Sequence, residues 1–233
     1  MRSKIDVFID VLVNRGGYRK VLEGLQNTVI IAVLGLIIGI LIGTLIAVVR
    51  VVPKYKRLPR ILNRICDMYV GLFRGTPMAV QLLWSYFVLF PLLGMILNGV
   101  QVSILVFGLN SGAYVSEIMR SGIQSVDPGQ MEAGRALGLS FGTTMKEIVI
   151  PQAVKNILPT LGNEFIALIK ETSIISFVGA ADLYVAFSYI GSNKYEFMVP
   201  FTVMALIYII MVAFITMLIR VMERRLGRSD RRH

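Results

Sequence analysis

Long apolar runs alternate with polar stretches along the chain. Each of five runs holds about 20 residues or more, and the first covers Thr28–Val52. About 20 apolar residues in a helix cross the ~30 Å hydrocarbon core of a bilayer. The pattern therefore predicts an all-α fold, a polytopic membrane helical bundle with five transmembrane helices.

The inner spans are less regular than the first and the last. Polar residues and Pro77 interrupt the second span at 73–77, and Pro159 and Gly162 are expected to bend or break the fourth. We place spans two to five at 61–93, 95–118, 148–178 and 197–221.

Glycines form a stripe along the first span. Gly35, Gly39 and Gly43 recur every four residues. Because such a stripe lacks side-chain bulk, another helix can approach it closely.

The chain divides into three regions. Residues 1–27 form an N-terminal segment, residues 28–222 the transmembrane domain, and residues 223–233 a basic cytoplasmic tail. In the N-terminal segment Ile5, Phe8, Ile9 and Leu12 share one helical face, which predicts a short amphipathic helix lying in the membrane interface. A mobile tail is the alternative.

Charge sets the expected orientation. The chain carries 24 Lys and Arg against 14 Asp and Glu, and its charged fraction of 16% lies below the roughly 25% of soluble domains. Lys and Arg concentrate after spans one, three and five, which places these segments in the cytoplasm and the N-terminus outside. The basic residues before span one point the other way. Basic cytoplasmic loops account for the net positive charge, so the charge does not indicate binding to nucleic acid.

Several classes of site are excluded by composition. The only cysteine is Cys66 and the only histidine is His233, so no Cys/His metal cluster or internal histidine base is available. The sequence has no G-x-x-x-x-G-K-[ST] phosphate loop. We therefore expect no catalytic residues, no metal and no cofactor on this chain.

The polar stretch after span three contains a helix with clear ends. Asp127 is a helix cap, Pro128 suits the first turn, Gln130 fits a capping box, and Gly138 suits a C-terminal cap. The predicted helix covers 127–138, and Ser140 starts another that ends near Pro151. By structure alone, the first is a docking element or a polar connection.

This stretch resembles the "EAA" signature of bacterial ABC importer permeases. Glu132-Ala133-Gly134 is followed after three residues by Gly138 and after nine more by 148–151, with Gly134 where alanine is usual and Ile150 where leucine is usual. The resemblance implies a cytoplasmic coupling helix that contacts the ATPase subunit. The implied contact residues are Asp127, Gln130, Glu132, Ala133, Gly134, Arg135 and Gly138.

Further motifs are similar to the polar amino acid (His/Glu/Gln/Arg/opine) uptake permeases. They lie at 73–77, 80–82, 110–118, 162–165 and 170–173. The resemblance implies an ATP-driven importer in a bacterial cell membrane, working by alternating access. Its implied partners are two ATP-binding subunits that carry ATP and Mg, a second permease chain, the same or related, and an amino acid binding protein. Since about 27 residues precede span one, we expect that protein to be a separate chain.

Polar side chains at the broken spans predict the substrate site. The Arg74 guanidinium suits a carboxylate and Glu164 suits an ammonium or a cationic side chain, while a charge at membrane depth needs a cavity or a partner. Hydrogen bonds are expected from Thr76, Asn110, Ser111 and Tyr114. The alternative is a structural network that pairs Arg74 with Glu164 or Glu171. Lys170 and Glu171 are interpreted as such a network or an outer gate.

Two other functions were weighed. A gradient-driven secondary transporter or channel subunit is the main alternative, although it would show internal pseudo-symmetry that five spans do not allow. An integral membrane enzyme would need a nucleophile and base or metal ligands facing the cavity. The sequence leaves open which amino acid is carried and whether the permease pair is a homodimer or a heterodimer.

Overall fold

The computed structural model of the protein describes residues 3–51 and 57–230, with side chains described as far as residue 225. These parts of the chain are helical and contain no strand. Lys54 and Lys56 of the basic loop, and residues 231–233 of the predicted tail, lie outside the described residues.

Ten helices organise the described chain. We number them α1 Lys4–Ile9, α2 Gly17–Val51, α3 Arg57–Gly75, α4 Met78–Trp84, α5 Gly99–Gln124, α6 Pro128–Ala136, α7 Phe141–Thr144, α8 Ile150–Glu171, α9 Leu183–Ser192 and α10 Met198–Asp230. π-helical turns extend α1 over Asp10–Asn14, join α4 to Phe90–Leu92 and join α7 to α8, and a 3₁₀ segment follows α8 over Thr172–Val178.

Three of these helices are long and apolar enough to cross a membrane alone. They are α2, α5 and α10. Two bent pairs complete the set: α3 and α4 meet at 104°, and the helix from Phe141 to Val178 meets α9 at 57°. Counted as one span each, the bent pairs raise the number to the predicted five.

The glycine stripe of α2 packs against α5, as the sequence predicted for a close neighbour. A Cβ atom on Gly39 would lie 2.6 Å from Ser111 Oγ, and one on Gly43 would lie 2.6 Å from Val115 Cγ1. On the facing helix, a Cβ on Gly108 of α5 would lie 2.6 Å from the Ile38 side chain of α2. The two backbones can therefore meet only without side chains at these positions.

The fourth span does not break at Pro159, and the helix before it does not end at Pro151. Pro159 lies inside the uninterrupted helix α8, and the helix from Ser140 does not end near Pro151 but continues through it. The π-helical turn Met145–Val149 comes directly before Pro151, and Ile150 N–H reaches back to Met145 O. This local change of register absorbs the missing proline N–H, and the bend comes instead after Val178.

The N-terminal helix lies against the bundle through part of its predicted apolar face, and its position in the membrane interface stays a prediction. Phe8 and Val11 are buried against Phe187 and Ile190 of α9, whereas Ile5 and Ile9 point away and are exposed. Packing on α9 decides the orientation, since both sides of this helix carry apolar residues. At the opposite end, α10 continues through the predicted tail as far as Asp230.

Candidate functional site

The break between α3 and α4 is closed by one amide side chain. Gln81 Nε2 donates to Phe73 O at 2.8 Å, to Thr76 O at 3.0 Å and to Thr76 Oγ1 at 2.8 Å. Thr76 Oγ1 in turn donates to Leu72 O at 2.8 Å. These bonds satisfy carbonyls that the end of α3 leaves without helical partners.

Asn110 of α5 fixes the same break from the other side. Its Nδ2 donates to Phe73 O at 3.2 Å and to Gln81 Oε1 at 2.9 Å, and the residue is buried. Thr76 and Asn110 are therefore brought together as predicted, but their hydrogen bonds hold the broken backbone in shape.

Ser111 links α5 to Glu164 of α8. Its hydroxyl donates to Glu164 Oε1 at 2.9 Å. Ser111 is fully buried beneath Gly39, where any side chain on α2 would displace it. The glycine stripe of α2 thus also positions the carboxylate of Glu164 through Ser111.

Arg74 lies at the end of α3 and faces α5. Its Cζ lies 5.4 Å from the centre of the Tyr114 ring, and its Nη1 lies 3.7 Å from Glu117 Oε2. The side chain keeps 45% of its surface exposed. The alternative pairing of Arg74 with Glu164 or Glu171 is therefore wrong in this structure, because Glu117 is the carboxylate within reach.

Glu117 was not among the predicted site residues, and its position near the end of the third span indicated only a structural role. It accepts hydrogen bonds from Arg50 Nη1 and, at 2.7 Å, from Arg120 Nη2, in addition to the ion pair with Arg74. Arg50 Nη2 also donates to Asp67 Oδ1 at 2.6 Å. This ionic cluster of Arg50, Asp67, Arg74, Glu117 and Arg120 joins α2, α3 and α5. The i,i+3 spacing of Glu117 and Arg120 was the only local signal for it.

Lys170 and Glu171 lie at the end of α8, and both are exposed. Within the described part of the chain, neither forms a salt bridge with Arg74 or Glu164. Their role as an outer gate stays a prediction. In the same part of the chain, no three His, Cys, Asp or Glu residues form a group suited to a metal ion.

The predicted coupling helix is α6. Asp127 caps it by accepting from Gly129 N–H at 2.7 Å, and Gly138 ends it with a φ of 78°. The predicted capping box is absent, because the Gln130 side chain accepts from Gln152 Nε2 at 3.2 Å instead. The cap and the end of the helix otherwise lie where the sequence placed them.

One side of α6 is packed and the other is open. Gly134 is buried, and a Cβ there would lie 2.5 Å from Thr144 Cγ2, so close packing on α7 accounts for glycine at this position. Glu132, Ala133 and Arg135 are exposed, and Leu137 keeps 79% of its surface exposed. This side of α6 is therefore free of contacts within the described chain and open to a partner.

Comparison with known proteins identifies the fold and the relatives. Residues 35–228 match the family described as "Binding-protein-dependent transport system inner membrane component". The chain is 40% identical over 166 residues to the arginine transport system permease protein ArtQ of Bacillus subtilis (strain 168), covering 71% of this chain and 76% of that protein. It is 42% identical over 167 residues to the putative glutamine transport system permease protein GlnP of Rickettsia bellii (strain RML369-C), covering 72% and 77%.

A solved structure shares the whole arrangement of helices. It is described as an amino acid ABC transporter with histidines, and it superposes with a TM-score of 0.82 at 36% identity. The match covers 94% of this chain and 98% of that one.

Proposed function

This chain belongs to the family of inner membrane components of binding-protein-dependent transport systems, and from that premise we propose that its cargo is a polar or charged amino acid. The relatives named above are permease subunits for arginine and glutamine. The chain is accordingly a permease subunit of an ABC importer and not an enzyme. The gradient-driven alternative is set aside, since the family takes its substrate from a binding protein.

One observation carries the choice of cargo. The half-exposed guanidinium of Arg74 lies beside Tyr114 of α5. The carboxylate of Glu164 accepts a hydrogen bond from Ser111, one turn away on the same helix. Their contact residues on α5, Tyr114 and Ser111, are three apart and so are neighbours on that helix, which offers one group of each sign to an amino acid bound beside α5. We assign the substrate carboxylate to Arg74 and the ammonium or a cationic side chain to Glu164.

The remaining predicted residues support these two. Tyr114 presents its ring to the Arg74 guanidinium and so orients it. Thr76 and Asn110 maintain the break from which Arg74 projects. The proposed site is thus built on a broken helix, as in other transporters where interrupted helices place polar groups at membrane depth.

Energy enters through a partner. We assign ATP and Mg to two ATPase subunits that contact the exposed side of α6, while a second permease chain, the same or related, completes the pore. An amino acid binding protein docks on the opposite face. In the proposed orientation the N-terminus lies outside and the C-terminus in the cytoplasm, which puts α6 on the ATPase side.

Reconstituted transport tests the proposal. The permease, purified with its ATPase subunits and placed in proteoliposomes with the binding protein, should accumulate radiolabelled L-arginine or L-glutamine only when ATP is present. Accumulation driven by a Na⁺ or proton gradient without ATP would contradict the proposal. It would also be contradicted if neither arginine, glutamine nor any other polar amino acid of a test panel were taken up.

Replacing Glu164 by glutamine should separate cationic from neutral cargo. Hydrogen bonds to charged groups contribute about 1.5–3 kcal/mol, so the KM for arginine should rise about tenfold or more. The KM for glutamine should change by less than about threefold, since the Ser111 contact survives in the amide. Glu23→Gln, on the exposed side of α2, is the matched control. Equal effects on the two amino acids would make Glu164 a structural residue.

A further inference from the structure

Helix α3 has a polar face that its ion pairs with α2 and α5, through Asp67 and Arg74, explain only in part. Arg57, Arg60, Arg64, Asp67 and Arg74 recur at helical spacing, and Gly71 fills the remaining place in the row. All six positions are exposed. A Cβ on Gly71 would meet no atom within 4 Å, so the row passes through open space at that point.

The other two sides of α3 differ in character. Cys66, Tyr69, Val70 and Phe73 pack against α2 and α5. A separate stripe is apolar and exposed, and it consists of Leu58, Ile61, Ile65, Met68 and Leu72. An apolar stripe suits lipid or another apolar helix, whereas a row of charges at membrane depth requires water or polar partners. The polar face of α3 is therefore expected to border water or the polar groups of the second permease chain.

A cavity of about 480 Å³ opens beside this face. Its polar lining comes from three helices: Arg50 of α2, Asn63 and Asp67 of α3, and Glu117, Arg120 and Gln124 of α5. This volume falls within the range of roughly 300–1,000 Å³ that small-molecule sites occupy. The cavity thus lies between the Arg74 site and the end of α5 that leads into α6.

The lining offers both signs of charge and two amides. Guanidinium groups of Arg50 and Arg120 suit a carboxylate, and carboxylates of Asp67 and Glu117 suit an ammonium. These groups already pair with one another, so an amino acid would bind only by exchanging with them. Such exchange favours weak binding and fast release, which suits a site on the way out of a transporter.

Glu117 connects this cavity to the substrate site. It lines the cavity and also forms the ion pair with Arg74 at 3.7 Å. Seven residues separate Arg74 from Asp67 along the polar face, a rise of about 10 Å at 1.5 Å per residue. An amino acid that leaves Arg74 would therefore reach Asp67 and the charged groups around it after moving about 10 Å.

We propose that this cavity is a second, release-side amino acid site, reached from Arg74 along the polar face of α3 past Gly71. The inference rests on the proposed function and extends it: the permease holds its cargo at two successive places. The first site selects the amino acid, and the second passes it toward the coupling-helix side by exchange within the ionic cluster.

Cysteine accessibility tests the pathway. In a Cys66→Ser background of the permease–ATPase complex in nanodiscs, single cysteines replace Asn63 in the cavity lining beside the polar face, Gly71 on the polar face, and Met68 and Leu72 on the apolar stripe. The probe is the water-soluble anionic reagent 2-sulfonatoethyl methanethiosulfonate. Because the reactive thiolate forms in water and not in hydrocarbon, the cysteines in place of Asn63 and Gly71 should react at least about tenfold faster.

Protection by cargo tests the site itself. L-arginine or L-glutamine at saturating concentration should slow the modification of Asn63→Cys, and Arg120→Gln in the same background should raise the half-protecting concentration. Equal rates on both faces would overturn the pathway, and fast modification without protection would overturn the second site. Neither result depends on ATP-driven uptake by the unmodified complex, whose absence would instead contradict the proposed function.

Discussion

Uptake should fall about a hundredfold or more when Gly138 is replaced by proline. Gly138 ends the coupling helix with a φ of 78°, and its N–H donates to Arg135 O at 3.0 Å. Proline fixes φ near −65° and has no N–H, so it cannot form this turn, at a cost of about 3 kcal/mol or more. The adjoining bond from Leu139 N–H to Gly134 O would be lost with the turn. ATP-dependent uptake in proteoliposomes measures the loss.

Two further variants show whether the turn or the segment is responsible. Gly138→Ala keeps the N–H but disfavours the left-handed conformation by roughly 1–2 kcal/mol, so uptake should fall less than with proline. Gly142→Ala, in the short helix α7 where a Cβ meets no atom within 4 Å, should leave uptake near the unmodified level. Full uptake by the Gly138→Pro complex would contradict the assignment of α6 as the coupling helix.

Helix α6 could be predicted because its signals are local. Asp127, Pro128 and Gly138 specify a start and an end through their own backbone preferences, and the structure places both there. The prediction of a capping box was wrong because the Gln130 side chain has two possible hydrogen-bond partners. Gln130 can turn back to the cap or reach across to Gln152, and only the packing of α8 beside α6 decides between them.

The glycine stripe shows where local information ends. Its spacing predicted that a helix would approach α2 closely, which the structure confirms. The sequence did not say which helix, because α5 contributes a complementary set in Gly108 and Gly112 that matches Ile38 and Ile42 only after the two helices are aligned. The hydrogen bond from Ser111 to Glu164 could not be predicted either, because it depends on the same alignment of α2 and α5.

The partners of Glu117 could not be predicted, for the same physical reason. Its arginine partners lie on α2, on α3 and one turn further along α5, and the depth of each depends on how the helices cross. The structural alternative offered by the sequence paired Arg74 with the carboxylates of α8. Tertiary packing reversed that choice by placing Tyr114 and Glu117 beside the end of α3.

Replacing Glu117 by glutamine should destabilise the permease more than any other single neutralisation in the ionic cluster. Arg50 is the reason, since only 10% of its side chain is exposed and Glu117 is one of its two carboxylate partners. Removing one member of a buried ion pair costs about 3–5 kcal/mol, and in the described chain Arg50 would keep only the more exposed Asp67 as a carboxylate partner. The amide keeps the shape of the carboxylate and leaves the guanidiniums of Arg50, Arg74 and Arg120 facing one another.

Thermal unfolding of the complex in nanodiscs measures this cost, and Asp67→Asn is the matched control. Asp67 also pairs with Arg50, but 54% of its side chain is exposed, so its loss should cost no more than about 1 kcal/mol. The unfolding midpoint should fall by roughly 6 °C or more for Glu117→Gln and by less than about 4 °C for Asp67→Asn. If the two midpoints fell equally, Glu117 would be one exposed partner among several, and the cluster would not hold α2, α3 and α5 together through this carboxylate.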